Sequence, residues 1–313
     1  MWTYIVKRVL ATLPVMAIVG IFVFSLLYLA PGDPAAVIAG DQALPEDIAR
    51  IRENLGLDRP FLVQFADWSG HILRGDLGTS IFTGKPVTEL IAQRIGPTLS
   101  LALVTLVMAI LVAVPLGVLA AAKVSTWVDR TVMGLAVLGF SVPLFVVGYV
   151  LAYVFSLQLH WLPVQGYVSL DQGLWPWLSR LLLPAATLGS VYVALIARIT
   201  RSAVVEVQQQ DYIRTARAKG LDHRAILFLH ALKNAGIPIV TIIGIGVGAL
   251  ISGTVIAESV FAIPGLGRLT IDAIMRRDYP IIQGLVLVFS FSYVIVNLLV
   301  DLTYVVFDPR IRL

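Results

Sequence analysis

Six long apolar runs, separated by polar segments of very unequal length, set the organisation of the chain. They lie near 9 to 30, 98 to 122, 131 to 156, 181 to 201, 237 to 258 and 281 to 306. A hydrocarbon core about 30 Å thick needs about 20 apolar residues to be crossed by a helix, and each run meets that length. Backbone polar groups in lipid find no water, so each run predicts a helix whose hydrogen bonds close within the segment. The expectation is an all-α membrane protein, residues 1–313 forming one domain. An outward insertion, 31–97, separates the first two spans, and a polar loop, 202–236, separates the fourth and fifth.

Periodicity within the insertion predicts further helices. From Pro45 to Asn54, with Leu55 just beyond, Ile48, Ile51 and Leu55 recur at helical spacing, and Gly56 offers a stop. Pro60 can open a second short helix with Leu62, Phe65, Trp68 and Ile72 on one face. The turn sequence GDLGTS follows, and a polar helix from Val87 leads into the second span. Neither amphipathic face carries a run of Lys or Arg, which favours packing over the mouth of a path rather than lying on the bilayer surface. The segment His160 to Arg180 contains Trp161, Trp175 and Trp177, residues that suit a membrane-interface belt.

Charge then orients these elements. Lys7 and Arg8 precede the first span, Lys123 and Arg130 separate the second and third, and seven basic residues from Arg198 to Lys233 follow the fourth. With Arg310 and Arg312 at the end, the positive-inside rule places both termini in the cytoplasm. The insertion also holds six basic residues, but nine acidic ones offset them, and long loops weigh little in this rule. Composition agrees with lipid as solvent: 58% of residues are hydrophobic and 13% charged, too apolar a chain for a soluble core to hide. The net charge of +4 is gathered at span ends, so it signals topology and excludes nucleic acid as the expected partner. The first run, at about 22 residues, exceeds a signal-peptide core and reads as a retained anchor. Cysteine is absent, which removes disulfides and thiolate metal sites; no metal site is expected.

The polar loop holds the most informative stretch, Asp211 to Asn234. Helix formers run to Lys219, Gly220 offers the left-handed conformation that ends helices, and Asp222 can cap a second helix, His223 to Lys233. Arg214, Arg217, Lys219 and Arg224 line the first helix and the corner, while Ala216 and Ala218 permit close backbone approach. Such a corner suits gripping another protein; the alternative is that its charge serves orientation alone.

In the fifth span Gly244, Gly248 and Ser252 follow at four-residue spacing, with Gly246 and Gly253 beside them. This stripe fits either close helix packing or a pore-lining surface. The sequence AESVFAIPGLGRL comes next and predicts a broken elbow. Candidates for the translocation path or its gate are Gly248, Ser252, Gly253, Glu258, Phe261 and Pro264. Asp301 is the clearest carboxylate inside a span and stands near the end where Arg198 or Arg201 can pair with it. A proton relay is the other reading of Asp301.

Several stretches in order along the chain give these features a family. TARAKG followed by HALKNAGIP resembles the cytoplasmic EAA loop of ABC importer inner-membrane permeases, in the dipeptide, oligopeptide, glutathione and nickel branch. APGDPA, LGLDRP, GDLGTS, VFAIPGLGRL, RDYPIIQ and DPRIR also resemble that branch. Where the motif's general form has Glu, this chain has Arg214 or Thr215, so a salt bridge attributed to that Glu does not carry over.

The resemblance implies a permease subunit in a bacterial inner membrane, forming half of a path for short peptides. Glutathione or nickel complexes are the alternative cargo. It also implies a second homologous permease chain, one or two ATPase subunits that hold ATP and magnesium, and an extracytoplasmic substrate-binding protein. Arg214, Ala216, Arg217, Lys219, Gly220, Leu221 and Asp222 would contact the ATPase. No GxxxxGK[ST] is present, so the engine is expected on another polypeptide and no catalytic residue or cofactor in this one. An ion-coupled secondary transporter is disfavoured, because neither an internal repeat nor midplane coupling groups are evident. An enzyme is disfavoured too: the four histidines lie outside the spans, and no nucleophile or metal motif occurs.

Overall fold

A computed structural model describes residues 2–29, 35–36, 44–54 and 58–307. Among these residues the secondary structure is helical apart from one isolated antiparallel bridge, Thr79 to Pro86. The helices are α1 Trp2–Leu29, α2 Pro45–Asn54, α3 Phe61–Leu73, α4 Val87–Ala122, α5 Trp127–Ser141 and α6 Leu144–Leu151, which continues through π-helical Ala152–Gln158. Next come α7 Leu174–Gln208, α8 Asp211–Ala218 and α9 His223–Ala225, the last extended by π-helical Ile226–Leu232. The chain closes with α10 Gly236–Val260, α11 Leu266–Arg276 and α12 Tyr279–Phe307.

Each of the six apolar runs coincides with helix. Val87–Ala122, Leu174–Gln208 and Tyr279–Val300 are long and apolar enough to cross a membrane by themselves, and the number rises to five if each of two bent helix pairs is one span. A shorter apolar stretch, Leu10–Leu26, lies within α1. One expectation fails in detail: the run 131 to 156 is not a single helix. It breaks between α5 and α6 with a bend of 107°. Pro143 causes this, since it has no N–H to donate and forces the preceding residue out of the helical region; Val142 is extended, with φ −92° and ψ 127°.

The chain forms two compact units, Met1–Gly96 with Arg268–Val294, and Pro97–Gly267 with Ile295–Leu313. In the larger unit α7 is the central helix, packed by α5, α6 and α10. Leu101, Leu181, Leu188, Leu250, Phe261 and Ile263 form the main core there. A second cluster, with Val118, Val204, Leu227, Ala231 and Ile239, seats the helical corner on the ends of α4 and α7.

In the smaller unit the amphipathic helices appear where expected. Aromatic packing docks α3 on α1: Phe24 meets Phe61, Phe65 and Trp68 at ring-centroid distances of 5.2, 5.6 and 5.4 Å. The face of α3 that packs on α1 is therefore Phe61, Phe65 and Trp68, of which Phe65 and Trp68 are half-buried and Phe61 stays exposed. Leu62, expected on that face, is 76% exposed. The turn GDLGTS is tied down by a buried carboxylate, as Ser80 Oγ donates to Asp278 Oδ2 at 2.6 Å. The Ile81 amide donates to Asp278 Oδ1 at 3.3 Å. The stop expected at Gly56 lies outside the described residues.

Candidate functional site

Two places where one helix ends and another begins carry the candidate residues, and both lie within the larger unit. The first is the corner between α8 and α9. Its stop is a complete Schellman motif: Gly220 has φ +80°, its N–H donates to the Arg217 carbonyl at 3.0 Å, and the Leu221 N–H reaches back to Ala216 at 3.3 Å. Nothing lies within 4 Å of the position that a Gly220 Cβ would take, so glycine is required here for backbone conformation and not for room. Asp222 caps α9 as expected, its carboxylate accepting the Arg224 N–H at 3.1 Å.

Anchoring and exposure divide cleanly across this corner. Ile213, Ile226, Leu227 and Ala231 are buried. Arg214, Arg217, Lys219, Asp222 and Arg224 are exposed, Ala216 is half-buried, and Leu221 is 38% exposed. Arg214 forms a solvent-facing pair with Asp211 at 3.4 Å, which contributes little. Phe228 and Leu229 add apolar surface, and partial burial pushes the Tyr212 phenol above its ordinary value. The corner is thus a rigid, basic, partly apolar protrusion held by buried aliphatic side chains.

The second place is the elbow from α10 to α11. Here the expected break is shorter than the sequence suggested: α10 runs through Val260 and only Phe261 to Gly265 interrupt it. Ala262 adopts φ +51° and the Ile263 N–H returns to the Glu258 carbonyl at 2.9 Å. Glu258 is fully buried, and Thr98 Oγ1 donates to its Oε1 at 2.7 Å. The same Thr98 oxygen accepts the Leu266 N–H at 2.8 Å.

The gate residues expected from sequence therefore do not share one open surface. Glu258 and Phe261 are interior, Phe261 belonging to the main core, whereas Pro264 is exposed. Gly248 is buried and Gly253 half-buried. Ser252 has only its backbone described. The small residues of α10 receive neighbouring side chains within the subunit: Gly246 and Gly253 face Tyr192 of α7, and Gly244 faces Val300 of α12. Close helix packing accounts for Gly244 and Gly246, whereas a Cβ at Gly253 would make only ordinary contacts.

The expected pairing of Asp301 with Arg198 or Arg201 falls on a side chain that is not described. Arg201 holds Asp129 with two hydrogen bonds, Nη2 meeting Oδ2 at 2.7 Å and Nε meeting Oδ1. Asp129 accepts the Ser125 N–H at 3.0 Å as well, and Arg198 lies 5.6 Å from the Phe140 ring centroid. The Asp301 side chain lies outside the described residues. Sequence reading passed over Asp129 because it stands just before an apolar run; its signal was a carboxylate at the same span end as Arg201. Among the described residues no cluster of His, Cys, Asp and Glu is arranged to hold a metal ion.

This helical arrangement recurs in solved transporters. A chain of the inward-facing MetNI methionine ABC transporter superposes with TM-score 0.59 at 16% identity, covering 70% of this chain and 96% of that one. A chain of an amino acid ABC transporter with histidines gives 0.51 at 17% identity, with coverage of 69% and 93%. That likeness is one of fold: the helical arrangement is shared with a chain of each of these ABC transporters.

The family follows from sequence. Residues 113–313 match the model described as binding-protein-dependent transport system inner membrane component, and residues 1–102 match the model for its amino-terminal part. A probable peptide ABC transporter permease protein, y4tP of Sinorhizobium fredii, is 54% identical over 312 residues, all of both chains. The glutathione transport system permease protein GsiC of Salmonella typhimurium is 44% identical, covering all of this chain and 99% of that one. The chain belongs to the binding-protein-dependent transport system inner membrane component family: it is a multi-pass permease subunit of an ABC importer, a transport component and not a catalytic one.

Proposed function

We propose that the chain forms half of a path for short peptides across a bacterial cytoplasmic membrane, with six spans and both termini inside. The exposed corner at Gly220 is the single observation that carries its mechanical part. It is the protruding polar feature of the segment between α7 and α10, and it is rigid enough to pass force inward through Leu227 and Ala231 to α4 and α7. A separate ATPase subunit, present once or twice, grips this corner through Arg214, Ala216, Arg217, Lys219, Leu221 and Asp222. A second, homologous permease chain completes the path, and an extracytoplasmic binding protein delivers the peptide to the outward insertion.

Peptide cargo is favoured by the naming of several relatives at 45% to 54% identity as peptide permeases. Glutathione, itself a tripeptide, is a second reading supported by GsiC. Uptake by a strain lacking this gene, complemented with the chain, separates them. Recovery of labelled dipeptide or oligopeptide uptake is expected, competed weakly by glutathione. Recovery of glutathione uptake alone overturns the cargo assignment. Uptake that survives loss of the ATPase and follows the proton gradient overturns the importer mechanism.

A further inference from the structure

Glu258 is the sole ionisable side chain in the 25 residues of α10, and it is fully buried. A carboxylate within an apolar membrane helix is costly and persists where it has a task. Its surroundings are fitted closely. Thr98 of α4, itself 4% exposed, donates to Glu258 Oε1 at 2.7 Å and accepts the Leu266 amide at 2.8 Å. A Cβ on Gly265 would collide with Oε1, Oε2 and Cδ of Glu258, so the carboxyl group fills the space that glycine leaves. The main chain of the same glutamate accepts Ile263, and Phe261 O accepts Gly166 N–H at 2.9 Å. One hydroxyl and one carboxyl group thus join α4, the end of α10 and the start of α11. Thr98 and Leu266 each stand within two residues of a point where the chain passes between compact units.

We infer that Thr98 and Glu258 are positioning residues for transport: they lock the elbow to α4 so that α4, α10 and the first turn of α11 move as one body when ATP drives the path from one face to the other. This rests on the importer reading above. The lock carries no substrate and lines no path. Its role is to pass the displacement of the corner, which reaches α4 through Val118 and Ala121, on to the elbow. With the hydroxyl removed, α4 moves and the elbow lags, so ATP is consumed without matching uptake.

Thr98→Val and Thr98→Ser test this in the complete transporter, reconstituted with its ATPase and binding protein. The wild-type arm must first show uptake that depends on ATP, and its failure removes the importer reading without bearing on the lock. Thr98→Ser keeps the hydroxyl and is expected to match wild type in peptides carried per ATP. Thr98→Val is expected to accumulate and assemble normally but to lose about tenfold in that ratio, the scale of one hydrogen bond to a charged acceptor. Equal ratios for Val and Ser overturn the proposal. So does a Val variant whose uptake falls only in step with the amount of assembled complex, which is a stability effect alone. Should Thr98→Val not accumulate, hydrogen exchange on the wild-type complex decides. Amides of residues 263 and 265 to 267 are expected to remain as protected in the ATP-trapped state as without nucleotide. Loss of protection in either state overturns the lock.

Discussion

The corner at Gly220 and the elbow at Gly265 are both helix junctions that contain a glycine, yet they use it for opposite reasons. At the corner the glycine supplies a backbone conformation, φ +80°, in open space. At the elbow it supplies room, because a carboxyl group occupies the place of its Cβ. The surroundings follow the same division. Corner side chains are exposed and charged, with only Ile213 and the α9 aliphatics anchoring them, whereas elbow side chains from Ala257 to Leu266 are largely buried. The corner proposed to meet a partner is left solvated and stiffened by local hydrogen bonds. A joint that must hold helices in register is closed around a buried polar group.

The contrast breaks most visibly at Gly265. Replacement by Leu forces the buried Glu258 carboxyl group out of its fitted place, a loss of about 3 kcal/mol. Thermal unfolding in detergent should fall sharply or the subunit should fail to accumulate; a parent-like melting temperature would show that the fit of glycine to carboxylate is unimportant. Asn, which tolerates positive φ, should do as badly as Leu at 265, because the problem there is space.

Asp129→Ala comes next. It leaves the Arg201 guanidinium, 25% exposed, without its carboxylate, at a cost of about 3 kcal/mol. Adding Arg201→Met should recover much of that loss, since an apolar replacement of both partners removes the stranded charge. A double variant no more stable than Asp129→Ala would mean that the pair is not what holds α5 to α7.

At Gly220 the expected cost is smaller and of another kind. Alanine meets no atom but must adopt a left-handed conformation, at about 1 kcal/mol. Asn should be nearly neutral, the reverse of its effect at 265. Peptide uptake with Gly220→Val should fall far more than stability does, because a β-branched residue reshapes the corner itself. Intact uptake by that variant would contradict the coupling role. The smallest effect is at Asp222, where Ala removes the cap and costs about 1 kcal/mol or less; Ser should restore it.

The corner was legible in the sequence and the elbow only in outline, for a physical reason. Helix stops and caps are local: Gly220 and Asp222 act on residues within four positions, so composition and spacing reveal them. The lock at Glu258 joins residues 160 and 168 positions apart, and nothing near Thr98 marks it as a partner. Treating Glu258 and Phe261 as path-lining followed from a broken apolar pattern, which signals an elbow without saying which side chains turn inward. The stretches GDLGTS and RDYPIIQ were noticed separately as family features, and Ser80 and Asp278 show them to be two sides of one contact. The bend of the third apolar run was available from Pro143 but was outweighed by the length of the run.

The central claim is that the exposed corner is where an ATPase subunit takes hold. Because the chain has no cysteine, Leu221→Cys gives it a single thiol for a benzophenone maleimide in membranes carrying the full transporter. Illumination should yield an adduct between this chain and the ATP-binding subunit, varying with nucleotide state, while the same label at Leu135→Cys, 63% exposed on α5, yields none. Absence of the adduct at 221 in every nucleotide state, with uptake intact, would contradict the account.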